Sequence, residues 1–332
     1  MNTFTVQPQT FEAILNRYAP HLEACRDLIT ADLQKTPGTA VLAEYLQGGK
    51  MFRALLVFVA ASAIGIEPRK MIPVASALEL LHGASLIHDD IVDEATERRS
   101  RPALHVQLGI GPALLLGDYL ILRAFTVLGE SPHVYSLERL IEASNALNYY
   151  AQLCCLGELH ELMPTGEGNP EDEYLTIVQG KTASQFAAAV TVPAIVGGGT
   201  TGEIEALRSY GLNVGIAFQI QDDVLDIVGD MGLLGKPVGT YLVKERLLLP
   251  VIYLERYGSP TALRHYHRIS QTEAGRAVQL AALLKEEGIW DRIKVTQDRY
   301  VSAALQALEC IRPSDERANL SVLATYAVNN HT

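Results

Sequence analysis

Apolar residues recur along this chain at the three-to-four-residue spacing of amphipathic helices, with breaks at Gly48-Gly49, Gly65 to Pro68, Ser100 to Gly111, Pro164 to Pro170, Gly197 to Gly202 and Gly229 to Gly239. Between those breaks nothing alternates as a half-buried strand does. The stretch from Ile72 to about Glu97 places Val74, Leu78, Leu81, Ser85 and Val92 at helical spacing, and Glu203 to Asp230 does the same with Leu207, Val214, Phe218 and Leu225. The pattern predicts an all-α protein built from long helices. With 332 residues, the chain is long enough for one large domain or two.

Composition agrees with long helices. Hydrophobic residues make up 48% of the chain, ample for a deep core, while 15 prolines and 26 glycines are few for a sheet-rich fold. A net charge of −11 leaves no basic face for nucleic acid, so a small-molecule partner is expected. Cys25, Cys154, Cys155 and Cys310 show no metal-ligand spacing, and a reduced, cytoplasmic compartment is the simplest expectation. No signal peptide opens the chain, and apolar runs such as Leu55 to Ile66 are too short for a bilayer, so no membrane span is expected.

Two matching groups of acids carry the chemistry. Asp89, Asp90 and Asp93 end the first apolar helical stretch, and Asp222, Asp223 and Asp226 end the second. Residues four apart share a helix face, so Asp89 with Asp93, and Asp222 with Asp226 and then Asp230, form rows of like charge. The C-terminal end of a helix disfavours negative charge by roughly 0.3 to 1 kcal/mol per exposed group, and cations between the acids offset both penalties. Carboxylate oxygens suit hard divalent ions such as Mg²⁺, which also keep positions open for phosphate. A solvated acidic face explains most single aspartate pairs, but not two such clusters beside apolar runs.

Basic residues gather around the same elements: Lys50 and Arg53 after Gly48-Gly49, Arg98, Arg99 and Arg101 after the first acids, Lys181-Thr182 and Lys236 around the second. Glycine turns that expose helix N-terminal amides beside a cation bind anions. Singly, each base reads as a surface residue; together they describe a cavity for more than one phosphate group. His82, two turns before Asp89, shares nearly the same face, and a core histidine is the competing reading.

The segments Gly48-Gly49-Lys50-Met51-Phe52-Arg53, Glu79-Leu80-Leu81-His82, His88-Asp89-Asp90-Ile91-Val92-Asp93 and Arg98-Arg99-Ser100-Arg101-Pro102 resemble the trans-isoprenyl diphosphate synthases. So do Gly117-Asp118-Tyr119-Leu120, Gly157-Glu158, Lys181-Thr182-Ala183 and Phe218-Gln219-Ile220-Gln221-Asp222-Asp223-Val224-Leu225-Asp226, from about residue 45 to 250 in the family's order. The resemblance implies a single domain over residues 1–332, a helical bundle around a central cavity, and a homodimer. It implies that Asp89, Asp90, Asp93, Asp222, Asp223 and Asp226 hold three Mg²⁺ ions on an allylic diphosphate, assisted by Arg98, Lys181 and Lys236. Isopentenyl diphosphate, the second substrate, falls to Lys50, Arg53, His82 and Arg99. Thr182 and Gln219 match residues that steady the cation or position the allylic end. The activity implied is a prenyltransferase that makes linear polyprenyl diphosphates.

Departures concentrate after the second acids. Tyr241 stands where the family has a carboxylate and Arg246 where it has a lysine, a cation without the compact point charge of lysine. Ala54 replaces a usual proline, and the tail Asn329-Asn330-His331-Thr332 lacks the basic residues some relatives carry. A class I terpene cyclase would share fold and metals but not need Lys50, Arg53, His82 and Arg99 together. A non-catalytic partner subunit is suggested only by the altered loop from Gly239 to Arg246. A phosphohydrolase built on His88-Asp89 lacks further histidine ligands and leaves the second acids unexplained. Product length is expected to depend on residues back along the first acidic helix: Ser85 at roughly 6 Å from Asp89, Leu81 at about 12 Å and Leu78 at about 16 Å. Ala84 and Ser85 are small, so growth to four or more isoprene units is expected, with Leu81, Leu78 and either Tyr149 or Tyr150 as the next obstacles.

Overall fold

The computed structural model describes residues 9–99, 101–131, 134–164, 166–229, 246–269 and 275–329. Among the described residues, ten helices precede residue 230. They are α1 (Phe11–Gln34), α2 (Ala40–Tyr45), α3 (Phe52–Ala63), α4 (Ile72–Val92), α5 (Leu104–Leu108), α6 (Ile110–Gly129), α7 (Leu137–Leu162), α8 (Pro170–Val178), α9 (Ser184–Gly197) and α10 (Thr201–Val228). Five more follow it: α11 (Leu249–Tyr257), α12 (Pro260–Ile269), α13 (Arg276–Glu286), α14 (Ile289–Ala307) and α15 (Asp315–Asn329). The fold is all-α. Its strands among the described residues are two residues each, Glu97–Arg98 paired antiparallel with Arg101–Pro102, a small hairpin that period-counting could not detect.

Helix ends follow their local chemistry. Thr200 caps α10, its hydroxyl accepting from Glu203 N–H while the Glu203 carboxylate accepts from Thr200 N–H, a reciprocal box that starts the helix at Thr201 rather than Glu203. Asn169 caps α8 ahead of Pro170, whose missing N–H costs nothing in the first turn. α4 stops at Val92, short of the expected Glu97, because Asp93 is its C-cap and Glu94 turns the chain at φ 51. Val92 is consequently exposed, although its spacing assigned it to the inner face.

α4 packs along α6, α7 along α9, and α10 between α9 and α14, with α3 laid against α9. Phe58, Leu80, Leu120, Phe186, Tyr210 and Leu323, from six helices, are buried in one core. A second cluster, with Tyr174, Ile220, Leu249, Leu284 and Ile289, knits the C-terminal helices to α8 and α10. The burial thus fixes α4 and α10, and the acids at their ends, from both sides. Two helical stretches, Pro68–Val92 and Ile110–Gly129, are long and apolar enough to cross a membrane by length and composition. In the first, 56% of the apolar window is buried inside the bundle; in the second, 28%.

Candidate active site

The last turns of α4 and α10 carry the two groups of aspartates, and α7 lies beside them with Glu158 and Glu161 one turn apart. Between α8 and α9 the chain makes a single π turn, Gln179–Ala183, which carries Lys181 and Thr182. Insertions of this kind gather at functional sites because they re-aim side chains within a continuous helix. Its position is set by backbone contact: Gly157 of α7 meets Gly180 and the Lys181 amide so closely that a methyl group on either glycine would collide with main-chain atoms. Lys181 Nζ therefore reaches Glu158 at 2.5 Å and Glu161 at 2.7 Å. Burial works against the ammonium, but Asp89, Glu161 and Glu158 more than offset it, and its pKa is raised.

The six aspartates divide into two kinds. Asp90 is buried, accepting from Arg98 Nε at 2.7 Å and from the Tyr45 hydroxyl at 2.9 Å, with Arg98 Nη2 at 2.6 Å. Asp223 is likewise buried, accepting from Gln219 Nε2 at 3.0 Å and Leu249 N–H at 3.3 Å; burial pushes its carboxyl up to about 7 against those donors. Each is the second acid of its cluster, and helical geometry turns it about 100° from the first. Asp89 keeps some exposed surface while protein atoms surround it, and it follows His88, which lines an apolar cavity. That burial, with Glu158 and Asp93 adding and Lys181 opposing, raises its pKa to about 6. Asp93 pairs with Arg246, whose Nη1 also meets Glu161 at 2.8 Å. Asp222 is half-buried and Asp226 fully buried. Arg53 lies within electrostatic reach of both Asp89 and Asp222, so the two clusters face one region.

Among the described residues no three carboxylates, thiols or imidazoles converge closely enough to enclose one metal ion. Carboxylates on facing helices, two of them with pKa values raised chiefly by burial, fit a divalent ion whose remaining positions are filled by water and phosphate. Lys181 and Arg246 already sit in that negative field. Arg98, expected to reach a diphosphate, has its guanidinium on Asp90, and burial of the arginine is offset chiefly by that hydrogen bond. Lys50 is exposed ahead of α3. Lys236, Asp230, Tyr241 and the rest of the Gly239 to Glu245 loop lie outside the described residues.

Thr182 and Gln219 meet directly, the threonine hydroxyl donating to Gln219 Oε1 at 2.7 Å. On the other side of Asp89, Glu79 accepts from Ala54 N–H at 2.9 Å and stands near Arg53, Arg99 and Arg26; burial raises its pKa. His82 is driven well below the usual imidazole range by burial and by Arg53, Arg99 and Arg98. A pocket of about 270 Å³ opens here, lined by Gly49, His82 and Arg99 among others. Among the described residues three that are not glycine adopt left-handed backbone, Met51 (φ 50), Glu94 (φ 51) and Arg99 (φ 52), and all flank the site. Such conformations cost roughly 1–3 kcal/mol each and persist only where the surroundings impose them.

Below Asp89 an apolar cavity of about 430 Å³ runs between α4, α6, α7 and α9. All four residues expected to bear on product length, Ala84, Ser85, Leu81 and Leu78, line it, together with Ile121, Phe125, Leu147 and Tyr150. Tyr150 is the inward tyrosine, its hydroxyl 3.3 Å from Thr191 Oγ1, while Tyr149 is exposed. Glu161, Tyr45 and Gln185 escaped the sequence reading. The first could have been found from its i, i+3 spacing to Glu158; the others carry no local signal, because helices distant in sequence bring them in.

An all-α bundle with two facing acidic helix ends above an apolar cavity defines a class I isoprenoid synthase architecture. The polyprenyl synthetase family pattern matches residues 38–286, and the chain belongs to that family. It is 34% identical over 300 residues to a short chain isoprenyl diphosphate synthase of Methanothermobacter thermautotrophicus, covering 88% of this chain and 91% of that one. A geranylgeranyl diphosphate synthase of Methanosarcina mazei is 33% identical over 283 residues, covering 85% and 86%. Among solved structures, a polyprenyl synthase from Caulobacter crescentus complexed with calcium and isoprenyl diphosphate superimposes with a TM-score of 0.88 at 30% identity, covering 98% and 99%.

Proposed function

We propose that this prenyltransferase condenses isopentenyl diphosphate with an allylic diphosphate, in the presence of Mg²⁺, and releases a linear polyprenyl diphosphate. The observation that carries this reading is the approach of both aspartate rows to Arg53, which itself lines an apolar cavity, with Lys181 beside the first row. Asp89, Asp93, Asp222 and Asp226 would hold the ions; Asp90 and Asp223 act instead by anchoring Arg98 and Gln219. Bound Mg²⁺ supplies Lewis-acid neutralisation of the departing diphosphate. Lys181 adds positive charge where negative charge develops on the leaving oxygen, the role the family resemblance also gives Lys236. The Thr182–Gln219 pair presents oxygen dipoles to the allylic carbon, and the apolar walls keep water from quenching the cation.

Isopentenyl diphosphate binds beside Arg53, His82 and Arg99, with Lys50 at the entrance. Its double bond attacks the allylic cation, and the proton then lost from the new bond passes to the expelled diphosphate. A dry cavity of about 150 Å³ accommodates benzene, or roughly 25 Å³ per carbon. At that scale 430 Å³ holds about 17 carbons, three to four isoprene units. That supports a product near geranylgeranyl length.

The exposed apolar face of α6 supports a homodimer, and four free cysteines fit a reducing cytoplasm. A terpene cyclase would not require the basic groups opposite the metal side, and a non-catalytic subunit would not require both acidic rows. Incubating the protein with isopentenyl diphosphate, each allylic diphosphate in turn and Mg²⁺ tests the reading. Longer diphosphates are expected, and none in EDTA; equal turnover in EDTA, cyclic hydrocarbons or no product would overturn it.

A further inference from the structure

Three buried polar atoms remain without a hydrogen-bond partner among the described residues at one end of the apolar cavity: Arg53 Nε, His82 Nδ1 and Gln185 Oε1. Leaving such a group unpaired costs about 1–3 kcal/mol, so three together call for partners, found in one another or in a molecule that arrives. Their chemistry is complementary, since the arginine nitrogen only donates, the amide oxygen only accepts, and the imidazole nitrogen does either. The far end of Gln185 is held. Its Nε2 donates to Cys154 Sγ at 3.3 Å and to the Lys181 carbonyl at 3.2 Å, which leaves Oε1 as the unpartnered end of a residue that lines the cavity.

Three cations and this amide act on His82 in opposite senses. Arg53 from α3 and Arg98 and Arg99 from the hairpin face the ring, and with burial they oppose a second proton on it; Gln185 from α9 is the neighbour that favours one. Without substrate the ring is therefore neutral and carries a single N–H. A diphosphate placed beside it brings negative charge that offsets the three guanidinium groups.

We infer that Gln185 is a positioning residue for isopentenyl diphosphate: its amide oxygen accepts the Nδ1–H of His82 and so presents the opposite ring nitrogen to the diphosphate. The inference rests on the placement of that substrate beside His82. In the bound state the ring takes a proton from solvent and donates from both nitrogens, one to Gln185 and one to a phosphate oxygen. Gln185 thereby links the π turn that carries Lys181 to the second substrate's site, through its bond to the Lys181 carbonyl.

The test is a steady-state double-mutant cycle on Gln185→Leu, His82→Ala and the pair, with Gln185→Glu as the variant that keeps an acceptor oxygen. Gln185→Leu should raise KM for isopentenyl diphosphate about tenfold, the loss expected for one charge-assisted bond, with the allylic KM and kcat within about twofold. Gln185→Glu should restore the KM, and Gln185→Leu should add nothing in the His82→Ala background. Circular dichroism and melting temperature show whether each variant is folded. An equal rise in both KM values, or a full further loss in the His82→Ala background, would overturn the role given to Gln185. If His82→Ala by itself leaves the isopentenyl diphosphate KM unchanged, the placement of that substrate fails, and the inference falls with it.

Discussion

Asp89 shows how the free protein is held in a costly state for the sake of its ligands. Its carboxyl titrates at about 6 because burial disfavours the charge, with Glu158 and Asp93 adding to that. A folded-state pKa above the ordinary carboxylate value means the proton is bound more tightly in the folded than in the unfolded chain. The associated stability is fully present below the ordinary carboxylate pKa and is lost as pH rises through about 6. Asp89→Asn should therefore stabilise the metal-free protein near pH 7.5, by a margin on the order of 2 kcal/mol, and change it little near pH 4. Thermal melts of both proteins in EDTA across that range check the sign; a variant less stable at the higher pH would contradict it. Turnover should collapse in the same variant, and wild-type affinity for Mg²⁺ should weaken below about pH 6 as the ligand protonates.

At the level of elements, α4 is both the carrier of the first acids and one wall of the cavity, so on the proposed function its helical period would set the rungs along which product grows. Ser85, one turn from Asp89, bonds back to the His82 carbonyl at 2.9 Å and leaves the channel open. Ser85→Phe should shorten the product to about three units or fewer, since an aromatic ring one turn below the acids fills a cross-section that Ser85 leaves clear. Mass spectrometry of the products decides, and an unchanged product length would remove α4 as the measuring wall. The rung pattern was legible in sequence because it depends only on the 3.6-residue period: Ser85, Leu81 and Leu78, taken from spacing, line the cavity, as does Ala84 beside them. The helical fold was legible for the same reason. What spacing could not give was the inward choice between Tyr149 and Tyr150, made by Thr191 on α9, or the burial of Asp90 under Arg98 and Tyr45. Those depend on which distant helix lies opposite, as does the position of the π turn, against which Gly157 of another helix packs.

Across the whole molecule, burial is uneven. Leu115 and Leu122 on α6 are each 68% exposed, in a helix apolar enough to satisfy a membrane-span criterion and with little of its apolar window covered. Contiguous apolar surface of this kind marks an interaction face. If it is the homodimer face, the paired change Leu115→Asp and Leu122→Asp should yield monomers in sedimentation velocity and lower the melting temperature. A wild type already monomeric at micromolar concentration would refute that assignment. At the opposite extreme stands the contact of Gly157 with Gly180, where two main chains touch with no side chain between them. A wall made of side chains can be altered one methyl group at a time, but a contact made of backbone offers no such small step. Inheritance should therefore treat the two ends of the cavity differently: single substitutions along α4 and α6 can retune what is made, while the distance from Lys181 to its acids stays fixed. Chains of this design would diverge first in their products and only much later, if at all, in their chemistry.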